Sequence, residues 1–132
     1  MKKKDRFKEL LEVIARLRSP KGCAWDRRQT HKSLRKYLRE ETREVIAAIN
    51  GGKVHHLEEE LGDLLLQVVL HAQIARENRQ FDMDDIIKTL IQKLKRRHPH
   101  VFGKTKVTSV REIITNWEKI KKEEHHKKYR SS

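Results

Sequence analysis

Glu40-Glu41-Thr42-Arg43-Glu44, followed past a Gly51-Gly52 break by Glu60-Leu61-Gly62-Asp63, sets acidic residues three apart inside two apolar, periodic runs. On an α-helix that spacing places side chains beside each other on one face. Two helices joined at the glycines can therefore gather four carboxylates. Leu34, Leu38, Val45 and Ala48 mark the expected buried stripe of the first helix, and Leu57, Leu61, Leu64 and Val68 that of the second. Carboxylates among leucines are costly without compensation, so the pattern asks for a cation. Oxygen ligands in this number suit Mg²⁺, or Mn²⁺, better than Zn²⁺. The competing reading makes such glutamates solvent-facing ion-pair partners, and it is the reading adopted for Glu58 and Arg39. A second acidic pair, phased to the same apolar stripe, weighs toward the metal.

By length, 132 residues make one domain, large enough to bury a core. Charged residues are 39% of the chain and aromatics 5%, yet the aliphatic residues are periodic, which indicates a folded helical domain rather than a disordered polyelectrolyte. A formal net charge of +13 points to an anionic partner, either nucleotide phosphates or nucleic acid. Cys23 is the one cysteine and can make no intrachain disulfide, so a reducing cytoplasm is the expected setting. No stretch has the apolar length of a membrane span, and the Met1 to Lys4 start does not lead into a signal-peptide apolar segment.

Outward from the acidic centre, a helix is predicted over 5–17, with Asp5 as its N-cap and Phe7, Leu10, Leu11, Ile14 and Leu17 on one face. Ser19, Pro20 and Gly22 stop it and open a loop carrying Cys23-Ala24-Trp25-Asp26. Trp25 can close the core edge or offer its ring to a base; Cys23 is a packing residue. Helices follow over 32–50 and 55–78, Gly51-Gly52 making the turn between them. The apolar centre of the second is expected to be buried in a bundle or shared with another subunit. Gly62 there suggests close approach of a backbone or ligand, and His71 reads as a hydrogen-bonded interior or interface histidine rather than a ligand. A fourth helix is predicted from Asp82 to about His98, with Ile86, Ile87, Leu90, Ile91 and Leu94 buried. Lys93 and Arg97 are four apart on one of its faces, a pairing suited to a polyphosphate. Pro99 ends it in a structural turn. The last helix spans 110–124, opened by a Ser109/Glu112 capping box, with Ile113, Trp117 and Ile120 on one side. The charged tail 125–132 is expected to fray. No internal repeat or strand is read.

Cys23-Ala24-Trp25-Asp26 with Gln29-Thr30-His31, Leu38 to Val45, Glu59 to Val69, Arg96-Arg97-His98-Pro99-His100-Val101-Phe102, and Trp117-Glu118 occur in the order found in MazG-type nucleoside triphosphate pyrophosphohydrolases. The resemblance covers about residues 5–124, and the combination is specific. Ala24 stands where that family usually has Pro, which bears on loop stiffness rather than chemistry. The resemblance implies an all-α fold, a four-helix-bundle-like metal-binding core with an additional C-terminal helix, and dimers or higher assemblies. It implies hydrolysis of nucleoside triphosphates between the α and β phosphates with Mg²⁺, in nucleotide-pool housecleaning. Carried over residue by residue, Glu41, Glu44, Glu60 and Asp63 become metal ligands, with Glu40 beside them. Lys93 and Arg97 grip the triphosphate, and Trp117 lies near the nucleotide. Trp25, Tyr37 and Glu59 complete the expected substrate-binding set, and Glu40 or Glu44 is the candidate general base.

A second reading, of another class, is a catalytically weak regulatory or assembly module that binds nucleotide without efficient turnover. The His98-Pro99-His100-Val101-Phe102 version resembles the N-terminal copy in relatives with two such domains, and that copy need not be the active one. Nucleic-acid binding ranks below both, because no helix-turn-helix, zinc-finger or aromatic-basic RNA-binding pattern accompanies the charge.

Overall fold

The computed structural model describes residues 5–130, with side chains to 128. The Met1 to Lys4 start and Ser131 and Ser132 of the tail lie outside them. Among the described residues there are seven helices and no strand: α1 (Arg6–Leu17), α2 (Ala24–Arg28), α3 (Arg35–Gly51), α4 (Val54–Glu77), α5 (Met83–Arg97), α6 (Pro99–Phe102) and α7 (Val110–Arg130). The all-α class read from the sequence is the one observed. Two compact units are distinguishable, one ending at Met83 and one beginning at Asp84.

In the first unit, α4 packs against both α3 and α1. Ile14, Leu34, Val69, Leu70 and Ile74 form the core, with Leu10, Leu11, Leu17, Tyr37, Leu66 and Met83 against it. Asp5 caps α1 as expected, its Oδ1 accepting from the Lys8 amide at 3.0 Å. After α1 the chain turns tightly: the Gly22 amide donates to the Ser19 carbonyl at 2.9 Å and the Cys23 amide to Leu17 at 2.8 Å. A Cβ at Gly22 would run into the carbonyls of Arg16 and Leu17, so glycine is required there. Trp25, expected in a loop, sits on the short helix α2.

Arg18, at the end of α1, ties this unit together. Its Nε and Nη2 donate to the two carboxylate oxygens of Glu77 at 2.9 and 3.0 Å, while Nη1 donates to the carbonyls of Asp26 and Gln29. One guanidinium thus fixes the end of α4 and the segment bearing Trp25.

Helix α3 starts at Arg35 rather than at 32. Residues 31–34 form a turn held by reciprocal bonds, Thr30 N–H to Ser33 Oγ at 2.8 Å and Ser33 N–H to Thr30 Oγ1 at 3.1 Å. Gly52, with φ 69°, supplies the left-handed residue that ends α3 and lets α4 return. The expected stripes are partly corrected. Leu34, Val45 and Ala48 are buried, but Leu38 is exposed; on α4, Leu61 and Val68 are exposed, and burial shifts to Gln67, Val69, Leu70, Ala72, Ile74 and Ala75. Phe7 also lies at the rim. Among the described residues, no atom beyond its own stretch of helix lies within 4 Å of a Cβ built at Gly62, so no other backbone makes the close approach expected there.

In the second unit, no residue of α5 is buried, and Leu90, Ile91 and Leu94 are exposed, contrary to the expected stripe. Helix α7 opens with the first half of the expected capping box, Ser109 Oγ accepting from the Glu112 amide at 3.2 Å, while the Glu112 carboxylate returns not to Ser109 but to the Thr108 amide at 2.7 Å. Ile113, Trp117 and Ile120 are half-buried on one side. The segment expected to fray from 125 is helical as far as Arg130. Pro99–Phe102, read as a turn, is one helical turn with Pro at its start.

Candidate active site

Consecutive helices joined by a two-residue turn run antiparallel, so residues equally distant from the turn stand at one level. Glu41 is eleven residues before Gly52 and Asp63 eleven after it (52 − 41 = 63 − 52 = 11), and Glu60 precedes Asp63 by three. The fold accordingly brings Glu41, Glu60 and Asp63 together, each offering an oxygen within 4.8 Å of the others', and all three are half-buried. Desolvation, and then the charges of Asp63, Glu60, Glu44 and Glu40, push the Glu41 carboxyl above its ordinary range. The donor set is all oxygen, partly withdrawn from water and mutually repulsive, and it fits a hard divalent cation. His56, one turn before Glu60, approaches its Oε1 at 3.4 Å.

The other expected residues divide. Glu40, Glu44 and Glu59 are exposed; Glu44 acts on Glu41 electrostatically but is not in the three-carboxylate group. Tyr37 lies one turn before Glu41 on α3, half-buried against the core, and Trp25 meets it edge-on with ring centres 5.7 Å apart at 72°. Trp25 remains 48% exposed, so it packs by one edge and keeps ring surface open. Glu58 and Arg39 face solvent as read.

Lys93, Arg97 and Trp117 belong to the second unit. They lie on or beside a cleft of about 870 Å³ between α5 and α7, whose lining includes Lys93, Arg96, Arg97, Lys121, Lys122 and Glu124. The Arg97 guanidinium sits over the Trp117 ring, 5.5 Å from its centre, and His98 meets that ring edge-on at 4.9 Å. His98 Nδ1 donates to the Leu94 carbonyl at 2.6 Å, a structural role in keeping with the turn reading.

Sequence reasoning missed Glu124. Its carboxylate accepts from Arg96 Nε at 2.7 Å and from Arg97 Nη2 at 2.9 Å and Nε at 3.2 Å. These bonds hold its pKa down to about 2. One glutamate among the several acids of a Lys-rich helix carries no distinguishing signal until the opposite helix is in place.

A profile described as the MazG nucleotide pyrophosphohydrolase domain matches residues 29–102. The chain is 53% identical over 122 residues to a Thermotoga maritima protein named nucleoside triphosphate pyrophosphohydrolase/pyrophosphatase MazG, covering 92% of this chain and 46% of that protein. It is 43% identical over 129 residues to an Escherichia coli nucleoside triphosphate pyrophosphohydrolase, covering 97% of this chain and 49% of that one. The chain thus spans about half the length of these curated relatives. A crystal structure of a mazG-related protein from Thermotoga maritima superposes with a TM-score of 0.72 at 31% identity, covering 87% of this chain and 98% of that one. On this matched segment, these identities and this superposition, the chain belongs to the MazG nucleotide pyrophosphohydrolase domain family.

Proposed function

We propose that the chain hydrolyses nucleoside triphosphates to a nucleoside monophosphate and pyrophosphate with Mg²⁺, or Mn²⁺ in its place, in nucleotide-pool housecleaning in the cytoplasm. The observation that carries this reading is the convergence of Glu41, Glu60 and Asp63 in a chain of this family. Those three residues would hold the ion, with Glu44 nearby on the solvent side. When bound, a divalent ion screens phosphate charge and acts as a Lewis acid. Glu40 or Glu44, exposed and outside the three-carboxylate group, takes the proton of the attacking water. Trp25 and Tyr37 offer aromatic surface to the base one helical turn from Glu41, and Glu59 completes the substrate contacts. Lys93 and Arg97 bind phosphate oxygens and stabilise charge on the pyrophosphate, with Trp117 beneath Arg97.

The apolar residues Leu61, Leu65 and Val68, which α4 leaves 48%, 38% and 38% exposed, support a homodimer or higher homo-oligomer. No helix among the described residues is long and apolar enough to cross a membrane.

The test is pyrophosphate release from a panel of nucleoside triphosphates, with and without Mg²⁺, by the wild-type chain and by Glu41→Gln and Asp63→Asn. Release that depends on Mg²⁺ and is lost in both variants supports the proposal, and equal release by all three proteins overturns it. Mg²⁺-dependent nucleotide binding without release would assign the chain instead to a regulatory or assembly module.

A further inference from the structure

Two neighbouring arginines on α5 share one carboxylate on α7. Glu124 takes the Nε and Nη2 side of Arg97 and the Nε of Arg96, and all these donors and acceptors sit within 2.7 to 3.4 Å. The Arg97 and Glu124 side chains are only 18% and 20% exposed, whereas Arg96 is 50% exposed. Trp117, one helical stretch earlier on α7, lies under the Arg97 guanidinium. Arg97 is therefore held on two sides by α7: along one edge by a carboxylate and across one face by an indole. The Nη1 side lies outside that pairing, and the residue lines the basic cleft together with Lys93, Lys121 and Lys122.

We infer that Glu124 is a positioning residue for anion binding in the α5–α7 cleft. It fixes the Arg97 guanidinium against Trp117 so that its remaining edge meets a phosphate oxygen in one orientation. It also holds Arg96 and Arg97 together against their mutual repulsion. A long side chain tethered at one edge loses less freedom when it binds than a mobile one, which offsets the unfavourable charge of a carboxylate near a polyanion. The ligand class is a short polyphosphate, free or as the chain of a nucleotide. Glu124 lies outside residues 29–102, so the family match itself assigns it nothing.

This inference rests on reading the cleft as phosphate-binding, and its test uses inorganic tripolyphosphate, which requires no turnover. Binding to the full chain is measured by calorimetry for wild type, Glu124→Gln, Glu124→Ala, Arg97→Ala and the Arg97→Ala/Glu124→Ala double variant, with helicity checked by circular dichroism. Charge alone predicts that removing Glu124 from a basic cleft tightens the anion. Positioning predicts the opposite sign: weakening of about fivefold to tenfold in Glu124→Gln, the shape-conserving variant, with no further loss from Glu124→Ala once Arg97 is gone. Unchanged or tighter binding by Glu124→Gln overturns the inference. So does an equal effect of Glu124→Ala with and without Arg97, or failure of the wild-type chain to bind tripolyphosphate. Tripolyphosphate binding with the predicted signs, alongside no pyrophosphate release from nucleotides, would leave the inference standing while the hydrolase proposal fell.

Discussion

The Nδ1 atoms of His31 and His71 lie 2.7 Å apart in rings whose planes differ by 3° and whose centres are 5.0 Å apart. Nitrogens so close with ring centres so far apart mean that the imidazoles meet nose to nose in a shared plane, one donating and the other accepting. The contact joins the turn before α3 to the middle of α4. His71 Nε2 is buried and has no hydrogen-bond partner among the described residues. Burial, and secondarily His31, holds His71 below its ordinary value of 6.5.

The folded chain therefore keeps His71 neutral where the unfolded chain takes up a proton. This contribution to stability is fully present above about pH 6.5 and is lost as pH falls through that value toward the lower folded pKa. Thermal melts between about pH 7.5 and 5 should show the midpoint dropping in wild type. In His71→Leu part of that slope should vanish, and an unchanged slope would rule out the assignment.

Arg18 satisfies Glu77 and two backbone carbonyls while its own side chain is 6% exposed. Truncating it strands those acceptors, so Arg18→Met should cost about 2–3 kcal/mol in urea unfolding. Arg18→Lys should recover little, because an ammonium cannot copy the edge-on pairing with Glu77. Because the same guanidinium also anchors the α2 segment, both variants should change the fluorescence of Trp25 before global unfolding.

Glu41 is raised by desolvation and by like charges, so the carboxylate cluster opposes folding when no cation is bound. Glu41→Gln should raise the melting temperature of the metal-free chain by about 1–3 °C, and should remove the further rise on adding Mg²⁺ that the proposed site predicts for wild type. A variant that gains in metal-free stability yet still responds fully to Mg²⁺ would separate the cluster from the ion.

Glu124 is held down to about 2, well below the ordinary carboxyl value of 4.5, by its hydrogen bonds to Arg97 and Arg96. Its stabilising contribution is present above about pH 4.5 and disappears as pH falls toward 2. After allowance for screening it amounts to about 1–2 kcal/mol, felt by the α5–α7 unit. Acid titration of far-UV helicity should show a loss in that window which is absent from Glu124→Gln.

The α3–α4 hairpin and its acidic centre were legible because helical spacing and a paired-glycine turn fix both faces and level. Glu44 shows where the reading thins. The face of α3 runs through Tyr37, Glu41, Val45 and Ala48, each about one turn from the last, and Glu44 sits on its exposed flank, near enough to raise the Glu41 carboxyl but outside the three-carboxylate group. On α5, periodicity read Leu90, Ile91 and Leu94 as buried and they are exposed, because the period marks an apolar face but carries no information on whether another element covers it. The charged run after Glu124 read as a tail because charge density suggests solvation. Its backbone nevertheless stays helical to Arg130. Arg18–Glu77 and Arg97–Glu124 span 59 and 27 residues, and no local pattern announces a partner at that distance.

Trimming this chain back to the segment that the family profile matches would carry a hidden penalty. A fragment stopping at Phe102 keeps two adjacent arginines but discards the acid that reconciles them and the indole beneath one of them. Left without that shared carboxylate, Arg96 and Arg97 would stand as adjacent like charges on α5, and nothing on the fragment would set the direction in which either guanidinium points.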